Sequence, residues 1–160
     1  MARAWSSKNR RDPRGFSLLE LLIVLAISMI VAAIAVPAIQ SSVQIYRLRS
    51  AAASVKGAIQ GTRYRAISSG YPFALVLSKT NSTYQVQSDP TASGTFTNVG
   101  SAIPLSGSSI PATINQDVTL QFRPSGAVTA TTGTTTMLIT YFGRTETIQV
   151  SNYGNITVTP

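Results

Sequence analysis

The sequence predicts an α+β fold, in which one long N-terminal helix packs on a domain built from an antiparallel β-sheet. Nearly unbroken apolar residues fill positions 21–36, and apolar residues then recur at helical spacing along 48–66. From Tyr71 onward the apolar spacing falls to two, and Thr, Val, Ile, Tyr and Phe become frequent, as in strands. The chain has 160 residues, of which about 120 lie outside the apolar anchor, enough for one modest core.

The N-terminal leader, residues 1–15, is strongly basic. Five basic residues stand against one acid there, a net charge of +4, whereas 67–160 balances three basic residues against three acids. A basic flank before an apolar run orients a membrane helix with that flank in the cytoplasm. We therefore expect residues 1–15 to be cytoplasmic and the C-terminal part to lie across the membrane, in a single-pass protein.

Residues 16–39 are predicted to form a transmembrane helix, because about 20 apolar residues suffice to span a bilayer. The apolar run is interrupted only at Ser17, Glu20, Ser28 and Pro37. An ionised carboxylate costs about 2.5–3.5 kcal/mol at mid-bilayer and less near the end of a span, so Glu20 needs a partner. A secretory signal cleaved after Ala33-Ile34-Ala35 and a plain anchor are the alternatives, and both leave Glu20 unexplained.

Beyond the span, residues 40–70 are predicted to form the amphipathic half of the same helix. Pro37 removes one backbone hydrogen bond, so it marks either a kink or the end of the membrane helix. Gly70 is the candidate C-terminal cap. One helical stripe is apolar apart from a threonine and should face the core; it consists of Leu48, Ala52, Val55, Ile59, Thr62 and Ala66.

Residues 71–160 are predicted to form the β-domain, with an antiparallel sheet. The candidate strands are 72–78, 83–88, 118–123, 136–142, 145–151 and 155–159. Pro124-Ser125-Gly126 is expected to form a turn, and Gly143-Arg144 a two-residue hairpin turn. The segment 89–117 is rich in Ser, Thr, Gly and Pro, and we expect a mobile surface loop with at most a short strand near 96–99.

Composition argues against catalysis. The chain has no cysteine and no histidine, so it offers no disulfide, no thiolate, no imidazole base and no Cys/His metal site. Its five acids are scattered singly along the sequence, and paired carboxylates would arise only by chance of folding. We predict no enzymatic activity, no catalytic residues, no cofactor and no metal.

The run Gly15-Phe16-Ser17-Leu18-Leu19-Glu20, with its basic leader and apolar continuation, resembles the prepilin signature of type IV pilins and type II secretion pseudopilins. The resemblance implies cleavage between Gly15 and Phe16 by a prepilin peptidase, which removes the leader, and N-methylation of Phe16. It also implies that Glu20 is the assembly carboxylate, which meets the N-terminal amine of a neighbouring subunit, and that Pro37 kinks the helix. The implied partners are other pilins, the peptidase and methylase, an assembly platform protein and inner-membrane lipid. The implied location is the inner (cytoplasmic) membrane, with the C-terminal domain periplasmic or extracellular.

A second resemblance covers most of the remaining chain. Phe122-Arg123-Pro124-Ser125-Gly126 and Asn152-Tyr153-Gly154-Asn155-Ile156 are similar to the GspH/FimT branch of minor pilins and pseudopilins, and the missing C-terminal cysteine pair favours that branch. The alternative is that these two segments are ordinary strand-and-turn sequences, which occur in many β-domains.

Some members of the FimT branch take up DNA through a Gly-Arg-x-Arg motif. Here the comparable stretch is Gly143-Arg144-Thr145-Glu146, in which a glutamate replaces the second arginine and repels phosphate. The candidate contacts with an anionic partner are Arg47, Arg49, Lys56, Arg63, Arg65 and Arg144. Neighbouring subunits and lipid headgroups compete with DNA for these cations.

The function expected from the sequence is therefore that of a minor pilin or pseudopilin subunit, which joins a type IV pilus or a type II secretion pseudopilus. The alternative is a DNA- or substrate-binding minor pilin of a competence pilus. An anchored enzyme is the third hypothesis, and it would need a cleft with converging polar groups.

Overall fold

The computed structural model describes residues 15–105 and 112–160. Apart from Gly15, the predicted leader lies outside the described residues. The chain divides into two compact units, Met1–Gln40 and Ser41–Pro160. Each unit is described by itself below.

The described residues of the first unit belong almost entirely to helix α1, which begins at Leu18 and ends at Ser69. An apolar window of this helix has a mean hydropathy of 2.8, and none of it is buried. Its large apolar side chains are instead exposed, from Phe16 through Ile39. By length and composition this helix can cross a membrane.

Helix α1 is continuous and contains Pro37 in its interior. The helix predicted over 16–70 is confirmed as one continuous helix of 52 residues, so the chain stays helical at Pro37. An end of the membrane-embedded part at Pro37 stays a prediction. The kink at Pro37 stays a prediction. The helix is capped as expected, because Gly70 adopts φ of +75° and its N–H donates to the Ala66 carbonyl oxygen over 3.2 Å.

Within the second unit, the predicted stripe is the buried face of α1. All six predicted stripe residues are buried, and Ala51 is buried with them. The stripe works because residues three or four positions apart lie on one side of a helix. Together with the inward-facing residues of the strands, it forms a single hydrophobic core.

Nine strands follow the helix in the described residues. They are β1 (Phe73–Ser78), β2 (Thr83–Ser88), β3 (Thr97–Pro104), β4 (Thr113–Ile114), β5 (Val118–Phe122), β6 (Val128–Thr132), β7 (Thr136–Tyr141), β8 (Arg144–Val150) and β9 (Ile156–Thr159). Burial alternates along β5 and β7, as expected for strands with one face on a core.

The strands form two antiparallel sheets. The first has the order β3-β2-β1-β5-β6, and the second has the order β4-β7-β8-β9. All six predicted strands are present within one residue of the predicted ends, but the sequence pattern did not divide them between two sheets. A helix packed on antiparallel sheets confirms the α+β fold class.

The segment 89–117, predicted as a mobile surface loop, has more strand than expected, because the short strand predicted near 96–99 begins at Thr97 and is longer. This segment contains β3, which has eight residues, and the two-residue β4. Every residue of β3 is exposed, and the strand contains Gly100 and ends at Pro104, so it shows no alternating apolar pattern. It pairs with β2 at the edge of the first sheet, with a bulge between Tyr84 and Val86.

The turn between β7 and β8 is shifted by one residue from its prediction. Tyr141 pairs with Arg144, so the two turn residues are Phe142 and Gly143. Both have positive φ, +48° and +74°, as a type I′ hairpin turn requires. The other predicted turn is confirmed, since the Gly126 N–H donates to the Arg123 carbonyl oxygen over 2.8 Å and Pro124 lies between them.

Candidate functional site

The predicted processing segment lies at the exposed beginning of α1. Gly15, Phe16 and Ser17 precede the helix, and Phe16 is 83% exposed. A Cβ added to Gly15 would meet no atom within 4 Å. Packing within the described residues therefore does not require glycine at this position. Close approach of a peptidase to the backbone would require it.

Glu20 occupies the first turn of α1. The Leu21 N–H donates to the Ser17 carbonyl oxygen over 3.1 Å, so Ser17 is the N-terminal cap residue and Glu20 is the third residue inside the helix. Serine followed three positions later by glutamate is the spacing of a capping box, and a negative charge is favoured at this end of a helix. The spacing is visible in the sequence, although the sequence analysis considered Glu20 only as an assembly group.

Two of the candidate cations connect α1 with the β7–β8 hairpin, within the second unit. An Nη of Arg47 donates to the Tyr141 hydroxyl over 3.0 Å. An Nη of Arg144 donates to Ser41 Oγ over 3.0 Å. These contacts join residues about a hundred positions apart in the chain, so sequence spacing does not reveal them.

Arg49 and Glu146 form a loose ion pair. Arg49 Nε lies 3.8 Å from Glu146 Oε1, with the arginine side chain 74% exposed and the glutamate 12% exposed. Glu146 stands where the DNA-uptake motif has its second arginine. The substitution therefore adds a negative charge next to one of the candidate cations.

Arg63 is held between two turns of the β-domain. Its Nε donates to the Gly126 carbonyl oxygen over 2.9 Å. A Cβ on Gly126 would lie 3.2 Å from Arg63 Nη2, and a Cβ on Gly154 would lie 2.5 Å from Arg63 Nε. Both glycines have φ of +81°, so backbone conformation and close approach together require glycine.

This Arg63 clamp joins the two segments on which the second resemblance rests. Gly126 ends the turn after β5, and Gly154 lies in the turn between β8 and β9, so each sheet contributes one turn. The sequence analysis classed Arg63 as a contact for an anionic partner. In the structure its guanidinium is engaged inside the domain, and no sequence signal predicts this contact between distant residues.

Among the candidate cations, Lys56 and Arg65 make no side-chain hydrogen bond or ion pair in the described part of the chain, although the Arg65 carbonyl oxygen accepts a hydrogen bond from the Ser68 hydroxyl over 3.2 Å. Arg65 borders a surface groove of about 300 Å³ between α1 and strands β2 and β3. Gly57 and Gly61 form its floor on the helix, and Val99 and Ile103 line its other wall. Among residues 15–105 and 112–160, no group of three or more acidic side chains could hold a metal ion.

Asp89 has a buried carboxylate that accepts hydrogen bonds from the residues that follow it in the chain. It accepts hydrogen bonds from the backbone N–H groups of Gly94 over 2.6 Å and Ser93 over 3.1 Å, and from the Thr91 hydroxyl over 3.1 Å. Burial alone would raise the pKa of Asp89, but these hydrogen bonds outweigh burial and lower it. Asp89 therefore has a structural role, which fixes the segment before β3.

Comparison with known families gives two matches. The prokaryotic N-terminal methylation motif matches residues 10–36, and the type II transport protein GspH matches residues 51–154. The chain belongs to the GspH family. Comparison with curated proteins and with solved structures finds no match.

The two matches confirm the two resemblances drawn from the sequence, one each. The methylation motif contains Gly15, Phe16 and Glu20, and the GspH region contains both turns of the Arg63 clamp. GspH-family proteins are structural pseudopilins, which agrees with the expectation that this chain is not an enzyme. The prepilin motif and the apolar helix are those of an inner-membrane-anchored protein.

Proposed function

We propose that this GspH-family chain is a minor pilin or pseudopilin subunit that joins a type II secretion pseudopilus or a type IV pilus. Prepilin peptidase cleaves between Gly15 and Phe16, and the new N-terminus is methylated. Before assembly the subunit stays in the inner membrane, with its N-terminus on the cytoplasmic side and its β-domain on the opposite side. An assembly platform protein then transfers it into the filament, where it contacts other pilins through α1.

One observation carries this proposal. The methylation motif coincides with the exposed beginning of a 52-residue helix, whose apolar window has no buried residue. So much apolar surface needs lipid or other subunits around it. Cleavage before the helix, rather than after it, leaves this surface attached to the folded domain.

Glu20 gives the assembly its register. When subunits stack, the carboxylate of Glu20 pairs with the amine of Phe16 from a neighbour, and this pairing offsets the cost of placing a charge in an apolar environment. A subunit stacked out of register leaves the carboxylate unpaired. The same residue thus disfavours wrong stacking and supports correct stacking.

The test is the mass of the mature N-terminus, measured in cells with and without prepilin peptidase. We expect a chain that begins with methylated Phe16, and an uncut chain when the peptidase is absent or when Gly15→Val blocks close approach. Gly57→Ala is the matched control, because a Cβ at Gly57 also meets no atom within 4 Å. A mature chain that begins at Val36 would mean an ordinary secretory signal and would refute the proposal.

The alternative role, binding of DNA or a secreted substrate, rests on fewer groups than the sequence suggested. Arg47, Arg49 and Arg63 have partners within the domain, which leaves Lys56, Arg65 and the remaining donors of Arg144 as candidates. The test is duplex DNA binding by the full mature chain in detergent, at increasing salt. Each phosphate contact steepens the salt dependence, so absence of binding at low salt would retire DNA binding.

A further inference from the structure

The tip of the β7–β8 hairpin has a chemistry that folding does not explain. Phe142 is 56% exposed and adopts φ of +48°, a conformation that bulky side chains rarely adopt. Asn, Asp or Gly is the usual choice at this turn position. The Phe142 ring packs edge-on against Tyr141, with 4.9 Å between the ring centroids, but most of its remaining surface faces solvent.

The hairpin tip is tied to the part of α1 that directly continues the apolar span. Arg144 donates to Ser41 Oγ over 3.0 Å, and Ser41 follows the last apolar residue of the span, Ile39, by two positions. At a rise of about 1.5 Å per residue, two positions correspond to about 3 Å of helix. Chain continuity therefore keeps Ser41, to which Arg144 is bound, close to the end of the span.

The residues at this level have the chemistry of a membrane interface. Phe142 is aromatic and exposed, and aromatic rings favour the boundary between headgroups and acyl chains. Arg144 donates one Nη to Ser41, and its planar guanidinium has further N–H donors that suit phosphate oxygens. An aromatic side chain next to an arginine thus offers both an apolar and a phosphate-binding contact.

We propose that the tip of the β7–β8 hairpin, residues 142–144, is a second membrane contact of this subunit. Phe142 enters the headgroup layer and Arg144 binds headgroup phosphate while the subunit waits in the membrane. The proposal rests on the membrane insertion given under the proposed function. Lipid is favoured over nucleic acid, because the exposed phenyl ring of Phe142 can enter the acyl boundary but adds nothing to a phosphate-backbone contact.

Tryptophan fluorescence can test this contact in the full mature chain. The sequence has a single tryptophan, Trp5, and Trp5→Phe removes it whether or not the leader is cleaved. Phe142→Trp then reports on the hairpin tip. Tyr153→Trp is the matched control, because Tyr153 is 81% exposed and lies in the turn at the opposite end of β8.

Both variants are reconstituted in vesicles of phosphatidylcholine, with or without phosphatidylglycerol, whose acyl chains carry bromine near the headgroup. We expect about twofold quenching of the Phe142→Trp indole, because aromatic rings at this depth lie at headgroup level, and little quenching of the Tyr153→Trp indole. Arg144→Gln, added to Phe142→Trp, should reduce the extra quenching by phosphatidylglycerol. Arg123→Gln, at the turn after β5, should not.

The outcomes separate this inference from the proposed function. Chains that fail to float with the vesicles would refute membrane insertion and, with it, both proposals. Chains that float but show equal quenching for Phe142→Trp and Tyr153→Trp would refute the hairpin contact alone. Loss of duplex DNA binding in Arg144→Gln, with lipid quenching unchanged, would also refute it and would assign the arginine to nucleic acid.

Discussion

The two parts of helix α1 bury their apolar residues differently. In residues 18–40 the large aliphatic side chains are exposed, with Ile27 at 57% and Ile30 at 64%. In residues 41–69 the stripe is at most 4% exposed, and Val55 and Ile59 are 0% exposed. Apolar surface is stabilised only when it leaves water. The second part of the helix therefore serves folding of the domain, and the first part needs lipid or other subunits.

The two parts of α1 also differ in their charged residues. Glu20 is the one ionisable residue in 18–40, whereas 41–69 contains five cations and no acid. Contacts within the domain engage Arg47, Arg49 and Arg63. The second part of the helix engages three of its five cations within its own domain, whereas we propose a neighbouring subunit as the partner of Glu20. The predictions below test this difference, from the largest expected effect to the smallest.

Truncation of one stripe residue should give the largest loss of stability. Ile59→Ala leaves a cavity in the core and should lower the free energy of unfolding of the β-domain by about 2–5 kcal/mol. Ile27→Ala, in the first part of the helix, is the matched control and should leave it unchanged. The measurement is urea unfolding of the full chain in detergent, followed by circular dichroism. An equal loss in the free energy of unfolding for the two variants would show that both parts of the helix contribute to folding of the domain, contrary to the account.

The Arg63 clamp should be the next most sensitive feature. Gly154→Ala places a methyl group against the guanidinium of Arg63 and forces alanine to a φ of +81°, so it should destabilise the domain by about 1–3 kcal/mol. Gly57→Ala meets no atom within 4 Å and should stabilise the helix by up to about 1 kcal/mol. The same unfolding experiment compares the two variants. If Gly154→Ala leaves the free energy of unfolding unchanged, the Arg63 clamp does not stabilise the domain.

The Asp89 loop should make stability depend on acid pH. Because hydrogen bonds lower the pKa of Asp89 below its ordinary value of 3.8, its contribution is complete above that value and is lost as pH falls through the lower folded pKa. Asp89→Asn should remove this contribution at neutral pH and flatten the pH profile of unfolding. Thermal unfolding between neutral and strongly acidic pH measures it, and identical profiles for wild type and variant would contradict the assignment.

The exposed pair of Arg49 and Glu146 should contribute least. Its atoms are 3.8 Å apart and Arg49 is 74% exposed, so Arg49→Gln should cost at most about 1 kcal/mol, and less at high salt. Urea unfolding at low and high salt gives the comparison. A loss as large as that of Ile59→Ala would mean that charge, rather than burial, holds this part of the helix.

The helix stripe could be predicted residue by residue because its cause is local. A position such as Val55 or Ile59 is buried because of its angle on the helix, and that angle follows from the spacing alone. The six predicted strands and the cap at Gly70 also follow from local patterns. The processing segment could be named for a similar reason, since Gly15, Phe16 and Glu20 lie within a few residues of each other.

The missed features depend on contacts between distant residues. Strand β3 is exposed along its whole length, so only its pairing with β2 makes it a strand. Strand β6 is short and rich in threonine, and its burial alternates weakly. Arg63 meets Gly126 and Gly154 only after both sheets have formed. In each case the local sequence is compatible with a loop or a solvent-exposed cation.

The most direct test of the central claim compares Glu20→Gln with wild type in cells, by filament incorporation and by domain stability. The account predicts that the variant is cleaved, inserts in the membrane and unfolds at the wild-type urea concentration, yet is largely lost from sheared filaments. Gln is close in shape to Glu, so the change removes the charge and little else. Wild-type incorporation of Glu20→Gln would contradict the account, because the first part of the helix would then assemble without its one charge.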